Sequence, residues 1–335
     1  MSVEKKPVVA LTIGDPAGIG PEISVATMMN QEVYNECNPF LIGSIPIIQR
    51  AMAIKNCSFA INPISHPSEA KFTWGTIDVL ETGDYDCDSV EWGKVQKLAG
   101  QMSLDYVKRS IELGMSKAVD VVSTAPIHKE AIKLAGCKLP GHTEIFQVET
   151  GSDYGLTMFH VQNLRVFFVS RHMALKDACD YANKERVLSC VQQIHKEFTA
   201  LNIENPRIAV AALNPHGSDN GLFGHEEKDN LIPAVEAARE MGINAIGPVP
   251  ADSVFHLGKL GKYDAILSLY HDQGHIACKT LDFERSVTIT FGLPFMRSSV
   301  DHGTAFDIAG TGKAGVVSML ESTLVSARYW KMQNQ

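Results

Sequence analysis

Three apolar runs in this 335-residue chain each end on a histidine: Leu164-Arg-Val-Phe-Phe-Val-Ser-Arg-His172, Arg207-Ile-Ala-Val-Ala-Ala-Leu-Asn-Pro-His216 and Tyr263-Asp-Ala-Ile-Leu-Ser-Leu-Tyr-His271. Each run is short, apolar and β-prone, so each reads as a buried strand of an α/β sheet. Ligands of such sheets gather beyond the carboxyl ends of the strands. A single histidine there serves equally well to cap its strand or fill a hydrogen bond. Three such endings predict a cation site of His172, His216 and His271, with positions left open for a substrate, a geometry suited to Lewis-acid chemistry.

A second group of polar residues has the chemistry to hold anions. Pro140-Gly-His-Thr-Glu144 opens a helix after a glycine turn, so His142 or Thr143 can offer donors beside a positive helix end. Lys279 lies just beyond the third histidine, and Arg297 follows Leu293-Pro-Phe-Met, past the predicted strand Val287–Thr290. An isolated Lys or Arg is usually a solvated surface charge. The Leu-Pro-Phe context predicts a buried Arg297, and a buried guanidinium calls for an anionic partner. Lys, Arg, His and Thr beside a metal suit a substrate bearing both phosphate and carboxylate. Asp252, in Pro250-Ala-Asp-Ser-Val-Phe255, is a candidate general base, with a helix N-cap as the competing role.

The elements that must position these groups alternate along the chain. Val8–Ile13, Pro39–Ile42 and Val119–Val122 read as strands; 91–114, 127–135, 183–201, 226–241 and 315–330 read as helices. Tyr154–Val161 and Leu164–Val169 are adjacent β runs joined by Gln-Asn, a predicted hairpin. Strands alternating with helices predict a mostly parallel α/β sheet, and the chain length predicts two lobes. Gly14-Asp-Pro-Ala-Gly-Ile-Gly-Pro-Glu22 has the wrong spacing for a dinucleotide fingerprint, and no acid follows Leu41-Ile-Gly-Ser44 to hold a ribose. That turn remains open to two readings, an amide-lined anion site or a simple connector. Asp301–Gly310 is rich in small residues that permit close backbone approach, and on physics alone it is a loop leading into the last helix.

Composition narrows the trade further. A formal net charge of −8 lacks the clustered basic surface that nucleic acid requires. No run is long enough to cross a bilayer, and the start has no apolar signal segment. Seven cysteines, odd in number and without a Cys-x-x-Cys pair, form neither a disulfide framework nor a zinc ribbon, so a reduced cytoplasmic protein is expected.

Across essentially its whole length the chain resembles the 4-hydroxythreonine-4-phosphate dehydrogenase family. The resemblance is carried by Gly14–Glu22, Thr124-Ala-Pro-Ile-His-Lys129, Pro140–Glu144, Leu213-Asn-Pro-His216, Tyr270-His-Asp-Gln-Gly274, Gly292-Leu-Pro-Phe295 and Ser299-Val-Asp-His-Gly-Thr-Ala305. It implies a divalent metal (Zn, Mg, Mn or Co) on His172, His216 and His271, shared across a homodimer interface. It also implies substrate contacts from His142, Thr143, Lys279, Thr288 and Arg297. The 301–310 stretch further resembles the loop of isopropylmalate dehydrogenases that lies against the adenosine of NAD, which implies cofactor contacts from His302, Gly303, Thr304 and Asp307. The implied fold is of the isocitrate/isopropylmalate dehydrogenase type, α/β with two lobes. Residues 1–135 plus 300–335 are the expected cofactor lobe and 136–299 the expected metal and substrate lobe, with the active site in the cleft and at the dimer interface.

The departures are informative. Thr288 stands where the family usually has Asn, and Arg171 where it often has Thr. His275, Leu222 and Phe223 are similar to a branch of 4-phospho-D-threonate and 4-phospho-D-erythronate dehydrogenases. The implied reaction is NAD- or NADP-dependent oxidation of a C3 hydroxyl followed by β-decarboxylation. It yields dihydroxyacetone phosphate from phosphothreonate, or 3-amino-2-oxopropyl phosphate from the amino acid used in pyridoxal phosphate biosynthesis. A metal-dependent hydrolase of a small phosphorylated acid and a non-catalytic phosphometabolite binder are the competing classes.

Overall fold

The computed structural model describes residues 5–335, which divide into two compact units, 5–155 with 287–334 and 156–286. Five strands open the first unit: β1 (Val8–Thr12), β2 (Asn38–Gly43), β3 (Ala60–Ile64), β4 (Thr76–Glu81) and β5 (Val121–Thr124). The second unit holds β6 (Leu156–Val161), β7 (Leu164–Phe168), β8 (Ile208–Ala211), β9 (Ala245–Val249) and β10 (Ala265–Ser268). The chain then returns to the first unit with β11 (Val287–Phe291) and β12 (Met296–Val300).

In the first unit the strand order is β3-β4-β2-β1-β5-β12-β11, parallel except for the β11–β12 hairpin. Strands β1, β5 and β12 run the same way side by side. The loops that follow them therefore emerge at one carboxyl edge. In the second unit the order is β6-β7-β10-β8-β9, antiparallel only between β6 and β7. The hairpin turns through Gln162 and Asn163 between paired Val161 and Leu164, with Gln162 at φ 54°, as a two-residue turn requires. Both units bury their strands on an apolar core, of which Phe159, Val166, Phe168 and Ile266 are the centre in the second. The mostly parallel α/β architecture is as the sequence predicts.

Two expectations shift. The lobe boundary lies elsewhere, because β12 pairs with β5 and Phe146 packs edge-on against Phe295 at 6.1 Å. Residues 136–155 and 287–299 thus join the first unit instead of the second. The helix expected over 91–114 begins only at Lys97, since Gly93 takes φ 72° and donates to the Ala17 carbonyl at 2.8 Å. The Gln96 side chain then closes a turn back onto Glu91, donating to its carbonyl at 2.8 Å. No helix among the described residues is long and apolar enough to cross a membrane.

Candidate active site

Strands β7, β10 and β8 are consecutive parallel neighbours, so His172, His271 and His216 all follow the carboxyl ends of adjoining strands. One side chain ties two of the three loops together. The Gln273 carbonyl oxygen accepts from the Leu269 amide at 2.8 Å, and its amide donates to the Ala212 carbonyl at 2.8 Å. The end of β10 is thereby stitched to the end of β8. The His216 loop is also held from behind: Glu227, 1% exposed, accepts the backbone N–H groups of Leu213 at 2.8 Å and Asn214 at 2.7 Å. His216 itself takes φ 55°, and Ser218 and Asn220 are also left-handed. Such backbone persists only where the surroundings over-determine it.

Within one chain the histidines do not complete a cage. Among the described residues no group of three or more His, Cys, Asp or Glu side chains converges as metal ligands would. The rings of His172 and His271 lie 6.0 Å apart between centroids, while His216 stands exposed. The donor chemistry nevertheless fits a cation. His271 Nδ1 lies 2.6 Å from the Asp272 carboxylate, and His216 Nδ1 lies 3.2 Å from the Asp219 carboxylate. A carboxylate can only accept there, so each pairing puts the ring proton on Nδ1 and turns a lone pair outward on Nε2. Metal-binding histidines are commonly oriented in this way. His275, one helical turn on, stacks on His271 at 3.7 Å and donates Nδ1–H to the His271 carbonyl at 2.8 Å. Burial holds its pKa down at about 4, so it is neutral near pH 7.

The first unit carries Arg297 and His142, two of the residues expected to meet an anion. Arg297, on β12 and only 2% exposed, donates to the hydroxyls of Thr124 at 2.8 Å and Thr290 at 3.1 Å. Its guanidinium also lies over the Phe146 ring, 5.2 Å from the centroid. His142, the first residue of the helix His142–Thr150, has a shielded Nε2 that meets no hydrogen-bond partner. Burial, and then the Arg297 charge, push its pKa well below the usual histidine value, so it is neutral. A shielded nitrogen without a partner, close to a guanidinium, suits contact with a polar ligand. Thr143 and Thr290 both border Gly155, where an added Cβ would meet their methyls at 3.4 and 3.9 Å.

The remaining predicted residues are placed as follows. Thr288 is buried and donates to the Ser299 carbonyl at 3.3 Å, on the same strand face as Thr290 two residues on. Lys279 lies in the second unit on the helix His271–Leu281, its ammonium 5.0 Å from the Phe283 ring centroid. Asp252 is exposed in the first turn of the helix Ala251–Lys259 and caps nothing, because Pro250 holds the N-cap position. In the loop after β12, Thr304 is buried, Gly303 and Asp307 are exposed, and His302 Nδ1 lies 3.0 Å from the Gly303 carbonyl. Sequence reasoning missed Thr124, Phe146, Thr290 and Gln273. Thr124 and Gln273 lay inside motifs already noticed, but their partners are distant in sequence.

The family model described as pyridoxal phosphate biosynthetic protein PdxA matches residues 35–326 of this chain. The chain belongs to the PdxA family. A curated Clostridium botulinum relative, carrying the provisional name D-threonate 4-phosphate dehydrogenase, is 47% identical over 327 residues, covering 98% of each protein. The solved 4-hydroxythreonine-4-phosphate dehydrogenase of Klebsiella pneumoniae superposes with a TM-score of 0.92 at 37% identity, over 98% of this chain and 100% of that one. The enzyme of the same description from Burkholderia phymatum gives 0.87 at 39% identity, over 97% and 98%. Membership of the PdxA family makes this chain a dehydrogenase.

Proposed function

We propose that this PdxA-family dehydrogenase oxidises the C3 hydroxyl of 4-phospho-D-threonate with NAD or NADP, and that the resulting β-keto acid loses CO₂ to give dihydroxyacetone phosphate. The observation that supports the reading is the buried Arg297 guanidinium near the shielded, unpartnered His142 Nε2, a pairing whose chemistry suits an anionic group. The 47%-identical relative, with its threonate name, favours the hydroxy acid over 4-phosphooxy-L-threonine, the substrate class in the names of the solved structures at 37–39% identity.

Arg297, with His142, Thr143 and Thr288, holds the phosphate. Arg297 supplies the charge, and neutral His142, in the tautomer protonated at Nε2, donates Nε2–H to an anion oxygen. Lys279 adds a second positive charge for the substrate. His172, His216 and His271 would hold a divalent cation, completed in a homodimer; such an ion supplies Lewis acidity at the hydroxyl and at the oxygen that gains charge as CO₂ leaves. His302, Gly303, Thr304 and Asp307 would face the nicotinamide nucleotide, which takes up the hydride. Asp272 and Asp219 keep the imidazole lone pairs pointed outward. The exposed position of Asp252 lends its role as base no support.

The decisive assay supplies purified protein with NAD or NADP, a divalent cation and either phosphorylated acid, and follows absorbance of the reduced nucleotide. Turnover with phosphothreonate well above that with the amino acid is expected. Absence of reduced nucleotide with both would defeat the proposal.

A further inference from the structure

The glycine turn after β1 resembles an anion cradle in sequence, but its amides are spent. Asp15 N–H donates to the Pro126 carbonyl at 2.9 Å, Ala17 N–H to the Asp15 carboxylate at 2.8 Å, and Ile19 N–H to the Thr304 carbonyl at 3.0 Å. The turn binds a neighbouring loop instead of an ion. Gly18 sits so close that an added Cβ would fall 2.9 Å from the Thr304 Cβ. Three residues into the helix Gly20–Met28 stands Glu22, completely buried. Its carboxylate does not cap its own helix. It accepts the Gly310 N–H at 2.6 Å and the Gly312 N–H at 3.0 Å, residues nearly three hundred positions away. From the other side, the Lys55 ammonium donates to the carbonyls of Gly312 and Ala314, each at 3.1 Å.

We infer that Glu22 and Lys55 form a clasp of opposite charge that holds the loop 301–314 in its nucleotide-receiving shape, with Glu22 as the positioning residue. The inference rests on the proposal above that this loop faces a nicotinamide nucleotide.

The chemistry explains why an acid and a base are used. A carboxylate can only accept and an ammonium can only donate, so Glu22 takes N–H groups and Lys55 takes carbonyls of successive peptide units of one segment without competing. Neither tolerates burial without such partners, so the loop and the clasp hold each other in place. The loop needs holding. Gly310 and Gly312 take φ 79° and 74°, and Ala305 is left-handed at φ 42°. A segment so rich in small residues has much conformational freedom to lose, and a loop ordered only on binding weakens the apparent affinity by its ordering cost. Ile19, Gly18 and the stacking of His128 on Phe306 at 4.6 Å fix the near end of the loop. Glu22 and Lys55 fix the far end.

Glu22→Gln tests the clasp at nearly constant shape, since the amide replaces one acceptor by a donor facing a backbone N–H. Three measurements are made on the full chain: NADH affinity by fluorescence titration, 4-phospho-D-threonate affinity by calorimetry, and hydrogen exchange across 308–314. The inference expects NADH affinity to fall at least tenfold, phosphothreonate affinity to stay within twofold, and exchange at 310 and 312 to accelerate. Glu22→Asp, which keeps the charge, should recover part of the NADH affinity. Faster exchange with NADH affinity unchanged overturns the positioning role alone. Failure of the wild-type protein to bind either NADH or NADPH overturns the nucleotide reading and the clasp's purpose together; should it bind only NADPH, the same titrations use NADPH. Should Glu22→Gln not fold, Lys55→Met carries the same test, with an expected threefold or greater loss of NADH affinity and the same criteria.

Discussion

Replacing Arg297 with methionine separates what the guanidinium does for the ligand from what it does for the fold. Methionine fills similar length and removes the charge. In the ligand-free protein the change deletes the contacts of the guanidinium, among them the donations to Thr124 at 2.8 Å and Thr290 at 3.1 Å. Hydrogen bonds to charged groups are worth about 1.5–3 kcal/mol each, while relieving a buried charge returns several kcal/mol of desolvation. The contributions oppose, so the change in folding stability should be smaller than the change in substrate binding. Substrate binding has no such compensation. Losing a buried charge that pairs with an anion costs about 2–5 kcal/mol, which at about 1.4 kcal/mol per decade is roughly thirtyfold to several thousandfold in kcat/KM. The assay is steady-state reduction of NAD with phosphothreonate, alongside thermal unfolding. A kcat/KM within threefold of wild type would refute the anion pocket, however the melting temperature behaves.

Further outcomes follow from the same geometry. Alanine at His172, His216 or His271 should abolish tight zinc binding in a calorimetric titration while circular dichroism stays native; undiminished zinc affinity in all three would remove the metal trio. Asp219→Asn and Asp272→Asn, which disturb only the Nδ1 partners, should weaken metal binding by about 10–100-fold. Asp15 has its pKa raised to about 6 by burial, so its proton is held more tightly in the folded chain than in the unfolded one. Its favourable contribution is complete below pH 3.8, is lost as pH rises through about 6, and leaves a charged, buried carboxylate above that. Asp15→Asn should therefore stabilise the protein at pH 8 relative to pH 4 by roughly 2 kcal/mol, and a pH-independent difference in chemical denaturation would exclude this. Thr288→Asn should be tolerated and tighten phosphate binding by about 1 kcal/mol; unchanged KM values for Thr288→Asn and Thr288→Val with both phosphorylated acids would leave Thr288 no binding role.

Much of this was legible in the sequence because it is local. The histidine-ending runs are strands, and the carboxyl-end rule places their histidines at one edge, now seen beyond adjoining β7, β10 and β8. The burial of Arg297 was legible from the apolar residues before it. Spatial closure was not. Three histidines that follow neighbouring strands need not meet in one chain, since where each loop carries its ring depends on contacts such as Gln273 to Ala212, sixty-one residues apart. The anion pocket was only half legible for the same reason. His142 and Arg297 announce themselves by type, whereas Thr124 and Thr290 are unremarkable hydroxyls until pairing of β5, β12 and β11 brings them to the guanidinium.

The two buried glutamates show what kind of function escapes a motif reading. Glu227 accepts the amides of Leu213 and Asn214 ahead of His216, and Glu22 accepts those of Gly310 and Gly312. Each sits on a helical segment, touches no proposed ligand, and fixes a loop that bears site residues. By residue type alone each is a surface acid of an amphipathic helix, which is where most glutamates lie. What distinguishes them is burial with two backbone donors, a property of the partner loop that the helix sequence does not encode. The same device in both units implies a shared requirement: loops built from glycine, alanine and left-handed residues can approach a ligand closely, but only a fixed acceptor behind them keeps that approach in one geometry. Activity in this chain should accordingly be as sensitive to these two carboxylates as to several residues that would touch the substrate itself.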